Sequence, residues 1–219
     1  MEKYFDILDR CPLFDDIARE DYGVMLNCLG ARVMGFGKNQ VIFAEGDDAV
    51  YVGIVLTGSV QIVKEDYYGN RTIVERIQPG ELFGESFACA DSVALPVSIV
   101  ALDSCEIMMV SCRRITVSCS KACAFHSRLI FNLLKVVANR NLAFNRKLEI
   151  LSKRTTREKL MTYLMHEAKR QGSSRFTIPF DRQALADYLG VERSAMSAEL
   201  GKLQRDGILT TNRNQFQLL

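Results

Sequence analysis

Residues 181–209, DRQALADYLGVERSAMSAELGKLQRDGIL, carry the pattern that most restricts the fold of this chain. Asp181 is a residue type that caps helix N-termini, so we expect a helix from there to Leu189. Gly190 suits a turn in which the backbone needs a positive φ angle. A second helix is predicted from residue 193 to residue 204. Two helices joined by so tight a turn are typical of a helix-turn-helix.

The inward-facing positions of this segment are small or apolar, as crossed helices require. Ala186 is small at the position where the second helix must cross the first closely. The apolar residues that face inward are Val191, Met196, Leu200 and Leu203. Residues 208–218 then read as two short strands around Asn212-Arg213-Asn214. The sequence therefore predicts a winged helix-turn-helix with a two-stranded wing.

The charge of the chain is divided unevenly along its length. Residues 1–112 hold 8 Lys and Arg against 18 Asp and Glu, a net charge of −10, whereas residues 113–219 hold 20 against 8, a net charge of +12. A basic half around a predicted helix-turn-helix favours a nucleic-acid surface. The alternative is that these charges are ordinary solvated faces.

The first half of the chain has a residue pattern typical of an antiparallel β domain. Residues 1–29 suggest short helices with apolar anchors at Leu8, Leu13, Phe14, Ile17, Met25 and Leu26. From residue 30 to residue 111, short β-rich runs alternate with turn signals at Gly46-Asp47, Thr57-Gly58, Tyr68-Gly69-Asn70 and Pro79-Gly80. This spacing predicts a sandwich or barrel, with a hairpin tip at Gly69-Asn70. Such a roll can hold a small ligand at its mouth.

A long helix is predicted between the two halves, from about residue 121 to residue 151. No Gly or Pro interrupts it, and its apolar stripe consists of Leu129, Leu133, Val136, Val137, Leu142, Leu148 and Leu151. A helix of this length favours pairing with the same helix of a second chain. The alternative is that it packs along its own roll. Thr155 and Glu158, at the spacing of a capping box, then begin another helix with Leu160, Tyr163 and Leu164 on its apolar face.

Two motifs stand on either side of the predicted long helix: PGELFGE at residues 79–85 and FDRQALADYLGVERSAMSAEL at residues 180–200. In this order they resemble the pocket motif and the DNA-binding signature of the Crp/Fnr family of transcription regulators, and the resemblance covers nearly the whole chain. It implies an α+β fold in three parts. These are a cyclic-nucleotide-binding-like β-roll, jelly-roll-like in form, at residues 1–120, a dimerisation helix at residues 121–152 and a winged helix-turn-helix domain at residues 153–219.

The function implied by the resemblance is that of a homodimeric, sequence-specific DNA-binding transcription regulator controlled by an effector in the β-roll. The implied partners are double-stranded DNA with an inverted-repeat operator and a second copy of the chain, with RNA polymerase as a further candidate. The runner-up is a sensor module that acts on a protein partner. An enzyme is not expected, because the chain has no P-loop, no G-x-S-x-G and no H-E-x-x-H motif.

The outward positions of the second helix are the candidate readers of DNA. Arg193 can bond guanine through two hydrogen bonds or hold a phosphate. Family members that read the well-known operator commonly carry Glu at the place of Ser194 and Arg at the place of Ala198, so a different operator sequence is expected here. Phosphate contacts are expected from Arg182, Lys202, Arg205 and Arg213. The main candidates for DNA binding are Arg182, Arg193, Ser194, Ser197, Lys202 and Arg213.

The candidate effector pocket is formed by Gly84, Glu85, Ser86, Leu95, Pro96 and Val97. In the cyclic AMP binders of the family, the Glu bonds the ribose hydroxyl and an Arg-Ser pair follows, whose Arg neutralises the cyclic phosphate. Those two positions fall here on Leu95 and Pro96. An unpaired phosphate in a partly dry pocket would cost several kcal/mol, so we expect no tight binding of cyclic AMP. The effector is therefore unknown.

Three interpretations of the roll stay open. The first is a small, less charged effector. The second is a metal, haem or redox sensor that uses Cys119, Cys123 and His126, which share one face if that segment is helical, with Cys112 nearby. No C-x-x-C pair supports a standard metal site. The third is an empty roll in a protein that binds DNA constitutively.

The location expected from the sequence is the cytoplasm. No apolar run reaches the length of about 18 residues that a bilayer span requires, so no membrane partner is expected. The N-terminal sequence MEKYFDILDR lacks the basic and then apolar layout of a signal peptide.

Overall fold

The structure of the protein is a computed structural model that describes residues 1–65, 67–68, 71–90, 94–117 and 124–219. Two compact units are present, Met1–Asn139 and Arg140–Leu219. The division between them falls inside a long helix of 28 residues, Ala124–Leu151, which ends at the residue predicted from the sequence.

The first unit is built around two antiparallel four-stranded sheets. Its strands are β1 (Arg32–Phe36), β2 (Val41–Phe43), β3 (Tyr51–Thr57), β4 (Val60–Glu65), β5 (Arg71–Ile77), β6 (Leu82–Phe83), β7 (Ser98–Ala101) and β8 (Cys105–Ser111). One sheet has the order β1-β8-β3-β6 and the other β2-β7-β4-β5. The predicted antiparallel roll is therefore confirmed. The predicted hairpin tip at Gly69-Asn70 lies outside the described residues, although β4 and β5 pair up to Glu65 and Arg71.

Short helices surround this roll. They are α1 (Phe5–Leu8), α2 (Tyr22–Cys28), α3 (Glu85–Cys89) and α4 (Cys112–Thr116), together with 3-10 turns at Glu2–Tyr4, Pro12–Phe14 and Arg19–Asp21. The long helix Ala124–Leu151 is α5. Strand β3 is buried on both faces, because Val52, Ile54 and Leu56 pack under the N-terminal helices while Val55 faces the interior between the sheets. That interior draws side chains from every strand of both sheets, as a closed sandwich requires.

The apolar stripe predicted for pairing between chains is wrong at its N-terminal end. Leu129 and Leu133 are fully buried in the core of the first unit, and Val136 and Val137 are packed against the same core. A period of 3.6 residues identifies an apolar face but does not say what covers it. In this protein, the β-roll of the same chain covers the apolar face of α5. The exposed apolar residues of this part of α5 are on its other side, at Phe131 and Leu134.

Besides the C-terminal part of α5, the second unit contains three helices and a small sheet. The elements are α6 (Thr156–Gln171), β9 (Arg175–Thr177), α7 (Arg182–Leu189), α8 (Arg193–Arg205), β10 (Leu209–Asn212) and β11 (Gln215–Leu218). Thr155 and Glu158 form the predicted capping box. The predicted wing is confirmed, because β10 and β11 pair in an antiparallel hairpin; β9 also pairs with β11 and adds a third strand that was not predicted. The residues of β9 do not indicate which strand they will pair with, so the pairing of β9 with β11 was not predictable from the local sequence.

Among the described residues, no helix combines the length and apolar character that crossing a bilayer demands.

Candidate nucleic-acid interface and effector pocket

The turn between α7 and α8 has the geometry predicted from its sequence. The side chain of Asp181 accepts a hydrogen bond of 2.8 Å from the backbone N–H of Ala184, which caps α7. Gly190 has φ 60° and ψ 51°, a left-handed conformation that glycine adopts without strain. A Cβ atom at Gly190 would also lie 3.3 Å from the Leu151 side chain, so the turn is closely packed.

The packing of these helices decides which side of α8 faces solvent. Ala186 has no exposed surface, and neither have Met196 and Leu203, so α8 crosses α7 through small and apolar contacts. The opposite side of α8 is exposed and consists of Arg193, Ser194, Ser197, Ala198 and Lys202. This is the set of outward positions expected from the sequence.

We expect the Asp181→Ala variant to lower the free energy of unfolding of the second unit by about 0.5–2 kcal/mol, because the N–H of Ala184 loses its acceptor. Chemical denaturation followed by circular dichroism measures this change. Asp181→Asn, which keeps a capping oxygen, serves as the matched control and should lose much less. Equal losses in the two variants would contradict the assignment of the cap.

Three arginines converge on one groove of about 810 Å³ in the second unit. Arg182 comes from the first turn of α7, Arg193 from the first residue of α8, and Arg213 from the turn of the wing. The other lining residues are Pro179, Phe180, Asp181, Gln183 and Asn214. Three positive charges against one carboxylate make this groove attractive to a polyanion. The structure thus brings together three arginines, of which Arg182 and Arg213 are 31 positions apart in the sequence.

Arg182 is held in place by the wing rather than extended into solvent. Its Nη2 atom donates to the Thr211 hydroxyl at 2.9 Å, and its guanidinium lies 5.2 Å from the centre of the Phe216 ring. Burial lowers the pKa of Arg182 from its ordinary value, as desolvation of a cation must. Its Nη1 atom is buried without a hydrogen-bond partner among the described residues. Arg182 therefore ties the wing to α7 and keeps one donor unused.

The wing turn presents Arg213 through an unusual backbone conformation. Asn212 pairs with Gln215, which leaves Arg213 and Asn214 as a two-residue turn. Arg213 has φ 53°, a left-handed conformation that few residues other than glycine adopt. The turn is anchored because the N–H of Ile178 donates to the Asn214 carbonyl at 3.0 Å. The side chain of Arg213 is exposed at the edge of the groove.

Lys202 differs from the three groove arginines because its charge is already paired. Its Nζ atom lies 2.5 Å from Oε1 of Glu199, one helical turn earlier on α8. Lys202 does not line the groove, and neither do Ser194 and Ser197, although all three are exposed on α8. Gln183 and Asn214 do line it and were missed by the sequence interpretation. Their amide groups directly follow two of the predicted arginines, which is the signal that could have identified them.

The pocket motif forms a turn that places Glu85 inside the first unit. Gly84 has φ 80° and immediately precedes α3. A Cβ atom on Gly84 would lie 3.0 Å from the backbone oxygen of Tyr51, so the turn requires glycine. Glu85 is fully buried and its Oε1 atom accepts a 3.0 Å hydrogen bond from the Ser86 hydroxyl. Ser86 itself is exposed.

The loop that returns from α3 is fastened to the turn after β2. The Leu95 carbonyl accepts from the N–H of Gly46, and the Leu95 N–H donates to the Asp47 carbonyl, both at 2.9 Å. Leu95 and Val97 are buried, whereas Pro96 is exposed. Residues 91–93 of the loop lie outside the described residues. None of the three described positions from 95 to 97 carries a charge.

Most of the alternative metal or redox site lies outside the described residues, because Cys119 and Cys123 fall within residues 118–123. His126 is described, is buried, and has its ring 5.0 Å from that of Phe125. Within the described ranges, no group of three or more His, Cys, Asp or Glu side chains is arranged to hold a metal ion.

Two family models match the chain, one in each unit. A cyclic nucleotide-binding domain matches residues 33–116, and a Crp-like helix-turn-helix domain matches residues 158–219. The first match contains both sheets of the roll from the second residue of β1 onward. The second contains nearly all of α6 and the whole of α7, α8 and the wing.

Curated relatives match along most of the chain. The chain is 22% identical over 187 residues to the transcriptional activator protein FnrA of Stutzerimonas stutzeri, covering 83% of this chain and 74% of that protein. It is 25% identical over 205 residues to the cyclic AMP receptor protein of Thermus thermophilus, covering 90% and 88%.

Among solved structures, the c-di-GMP responsive global regulator CLP of Xanthomonas campestris has a similar fold. The TM-score is 0.58 at 21% sequence identity, and the match covers 90% of this chain and 98% of that one. The relatives are transcription regulators and not enzymes. The motif order, the two family models and these relatives agree, and the chain belongs to the Crp/Fnr family of transcription regulators.

Proposed function

We propose that this protein is a homodimeric regulator that reads DNA through α8, controlled by an effector other than cyclic AMP. The observation that carries this proposal is the convergence of Arg182, Arg193 and Arg213 on one groove beside the exposed face of α8. Three separate elements contribute a cation there, and a basic surface next to a recognition helix matches the charge of a DNA backbone.

The residues of this surface divide into two kinds of contact. Arg193 begins α8 and is exposed, so its guanidinium can reach a base edge in the major groove and bond guanine through two hydrogen bonds. Ser194 and Ser197 can bond bases or phosphates, and the methyl group of Ala198 can contact a thymine methyl. Arg182 and Arg213 line the same groove and are proposed to contact phosphates, which fix orientation without specifying sequence.

The side chains on α8 favour an operator that differs from the best-known one of the family. Ser194 and Ala198 replace the Glu and Arg that commonly read that operator. One strong base contact per subunit, from Arg193, leaves more of the specificity to the shape and deformability of the DNA.

Dimerisation is proposed through the exposed side of α5. Phe131 and Leu134 expose 57% and 65% of their surface, an unusual exposure for large apolar side chains on a helix whose other side is in the core. They begin a sequence pattern with spacings of three and four residues, the heptad pattern of a two-stranded coiled coil, that consists of Phe131, Leu134, Ala138, Asn141, Asn145 and Leu148. A second copy of α5 would cover these residues.

The middle of this heptad pattern is polar. The Asn145 side-chain amide donates to Oδ1 of Asn141 at 3.0 Å. An asparagine at such a position lowers the stability of a coiled coil but selects one register and one number of strands. The pair therefore supports a parallel, in-register dimer over larger assemblies.

The mechanism we propose is a shift between two populations. An effector in the roll favours one arrangement of the paired α5 helices, and this arrangement sets the two recognition helices to fit successive major grooves about 34 Å apart. The operator is then an inverted repeat.

The experiment that tests the function is equilibrium binding to duplex DNA at several salt concentrations, after selection of the bound sequence from a random duplex library. Selection should return an inverted repeat, and the logarithm of affinity should fall linearly with the logarithm of salt concentration as counterions are released. A protein that is monomeric and does not bind duplex DNA at low ionic strength, with or without an extract of small molecules from its host, would overturn the proposal.

We expect no micromolar binding of cyclic AMP by isothermal titration calorimetry. The Thermus thermophilus relative is named a cyclic AMP receptor. In this chain, however, the two positions for a phosphate-binding pair are the buried Leu95 and the exposed Pro96. An unneutralised phosphate there would cost several kcal/mol. Micromolar or tighter binding would show that another cation takes the missing role, and the Leu95→Arg/Pro96→Ser variant is the matched test of that pair.

A further inference from the structure

Two cysteine sulfurs meet beside the candidate effector pocket. The Sγ atoms of Cys89 and Cys112 are 3.3 Å apart, close enough for one thiol to hydrogen-bond the other. A disulfide bond is about 2.05 Å long, so the sulfurs need to approach by only about 1.3 Å to be joined. The metal or redox alternative suggested by the sequence named Cys112 only as a neighbour of Cys119, Cys123 and His126, and it did not include Cys89.

The surroundings of the two sulfurs differ in a way that suits a stepwise oxidation. Cys89 is the last residue of α3 and is exposed, whereas Cys112 is the first residue of α4 and is buried. An oxidant in solution reaches Cys89, the exposed residue, first, and the sulfur of the buried Cys112 is already in place to react with it. The backbone of Cys112 is fixed, because its N–H donates to the Val50 carbonyl at 3.1 Å.

We propose that Cys89 and Cys112 form a redox-active thiol pair that a hydroperoxide converts to a disulfide. The Cys89 sulfur attacks the terminal oxygen of ROOH, which leaves a sulfenic acid and releases ROH. The Cys112 thiol then displaces water from the sulfenic sulfur and forms the S–S bond. Two thiols lose two electrons and one hydroperoxide gains them, and the two thiol protons leave in ROH and water.

The reaction is slow at neutral pH and faster at higher pH. The hydrogen bond with Cys112 and then partial burial raise the pKa of Cys89 well above its ordinary value. Because the thiolate is the nucleophile, a raised pKa lowers the reactive fraction at neutral pH, and that fraction grows as pH rises. The pair therefore responds to sustained or concentrated oxidant.

The disulfide would join α3, which begins with the pocket residue Glu85, to α4. Helix α3 carries Glu85 at its start and Cys89 at its end, and α4 is the last described element before α5. A disulfide would fix α3 to α4 and so restrict any movement of the pocket motif against the segment that leads to the dimerisation helix. This regulatory consequence rests on the proposed function, whereas the disulfide itself does not.

The first test is chemical. Protein freed of reductant is treated with tert-butyl hydroperoxide, remaining thiols are blocked with N-ethylmaleimide, and the digest is mapped by mass spectrometry without reduction. Trypsin leaves both cysteines and Cys105 in one peptide, residues 77–113. Further cleavage before Asp91 and after Glu106 separates them. We expect fragments that contain Cys89 and Cys112 to be linked, with the loss of two hydrogens.

Matched variants decide whether the pair is specific. Cys89→Ser changes an exposed residue and should abolish the link without affecting folding, whereas Cys105→Ala, which removes a different buried thiol, should retain it. Cys89 that stays open to N-ethylmaleimide, or Cys112 linked instead to Cys119 or Cys123, would overturn the proposal.

The second test concerns regulation. We expect the oxidised protein to differ from the reduced protein in affinity for the selected duplex by at least about fivefold, a change that dithiothreitol reverses and Cys89→Ser lacks. A mapped disulfide with unchanged DNA affinity would overturn the regulatory part alone. Reduced protein that binds no duplex would instead contradict the proposed function and leave the thiol pair standing.

Discussion

Replacing Arg193 with alanine is expected to weaken binding to the selected operator by about 1–3 kcal/mol, which is fivefold to 150-fold. Arg193 is exposed at the first residue of α8 and lines the groove with Arg182 and Arg213. Losing two hydrogen bonds to a guanine should also relax the preference at one base position in each half-site. Fluorescence anisotropy with the operator and with duplexes mutated at single positions measures both effects.

Two variants provide controls for this prediction. Arg170→Ala removes an arginine that is paired with Glu167 on α6 and does not line the groove, so it should change affinity little. Lys202→Ala removes a charge that Glu199 already pairs, so its effect should be smaller than that of Arg193 and similar for all sequences. If Arg193→Ala left affinity and base preference unchanged while Arg170→Ala reduced them, α8 would not be the reading helix.

Replacing Leu134 with glutamate is expected to raise the dissociation constant of the homodimer by at least about 100-fold, equivalent to about 2.7 kcal/mol. The change would place two carboxylates, one from each chain, in an apolar seam without partners. Since Leu134 exposes 65% of its surface within one chain, the change leaves the core of the monomer intact. Sedimentation velocity over a range of protein concentrations measures the dissociation constant.

The matched control is Val24→Glu. Val24 exposes 66% of its surface and lies on α2, so it introduces the same charge at an equally exposed apolar position away from the heptad pattern. It should leave the dimer intact. If both variants remained dimeric, the exposed side of α5 would not be the interface, and operator binding by Leu134→Glu would be retained as well.

The parts of the fold that the sequence predicted are those governed by local chemistry. The caps at Thr155 and Asp181 and the left-handed conformation of Gly190 were predicted from residue type and spacing, and each is present. A cap or a positive φ is decided by a few neighbouring residues. The regular spacing of β-rich runs and turn signals likewise predicted the antiparallel roll, because such runs form short strands joined by tight turns.

The parts that were not predictable depend on contacts between distant segments. The pairing of β9 with β11, the burial of Leu129 and Leu133 against the roll, and the position of Arg182 over the Phe216 ring all join residues far apart in sequence. The thiol pair is a further example, since the strands β7 and β8 lie between Cys89 and Cys112 in the sequence. No local pattern distinguishes such cysteines from inert apolar ones.

The C-terminal end of α5 belongs to the core of the DNA-binding unit. Ile150 is buried among its apolar residues, and the Leu151 side chain lies against Gly190, at the corner between α7 and α8. These contacts hold the end of α5 against the corner between α7 and α8 within the second unit. If α5 carries the proposed signal, the signal enters the second unit through the side chains of Ile150 and Leu151 and not through the loop at residues 152–155.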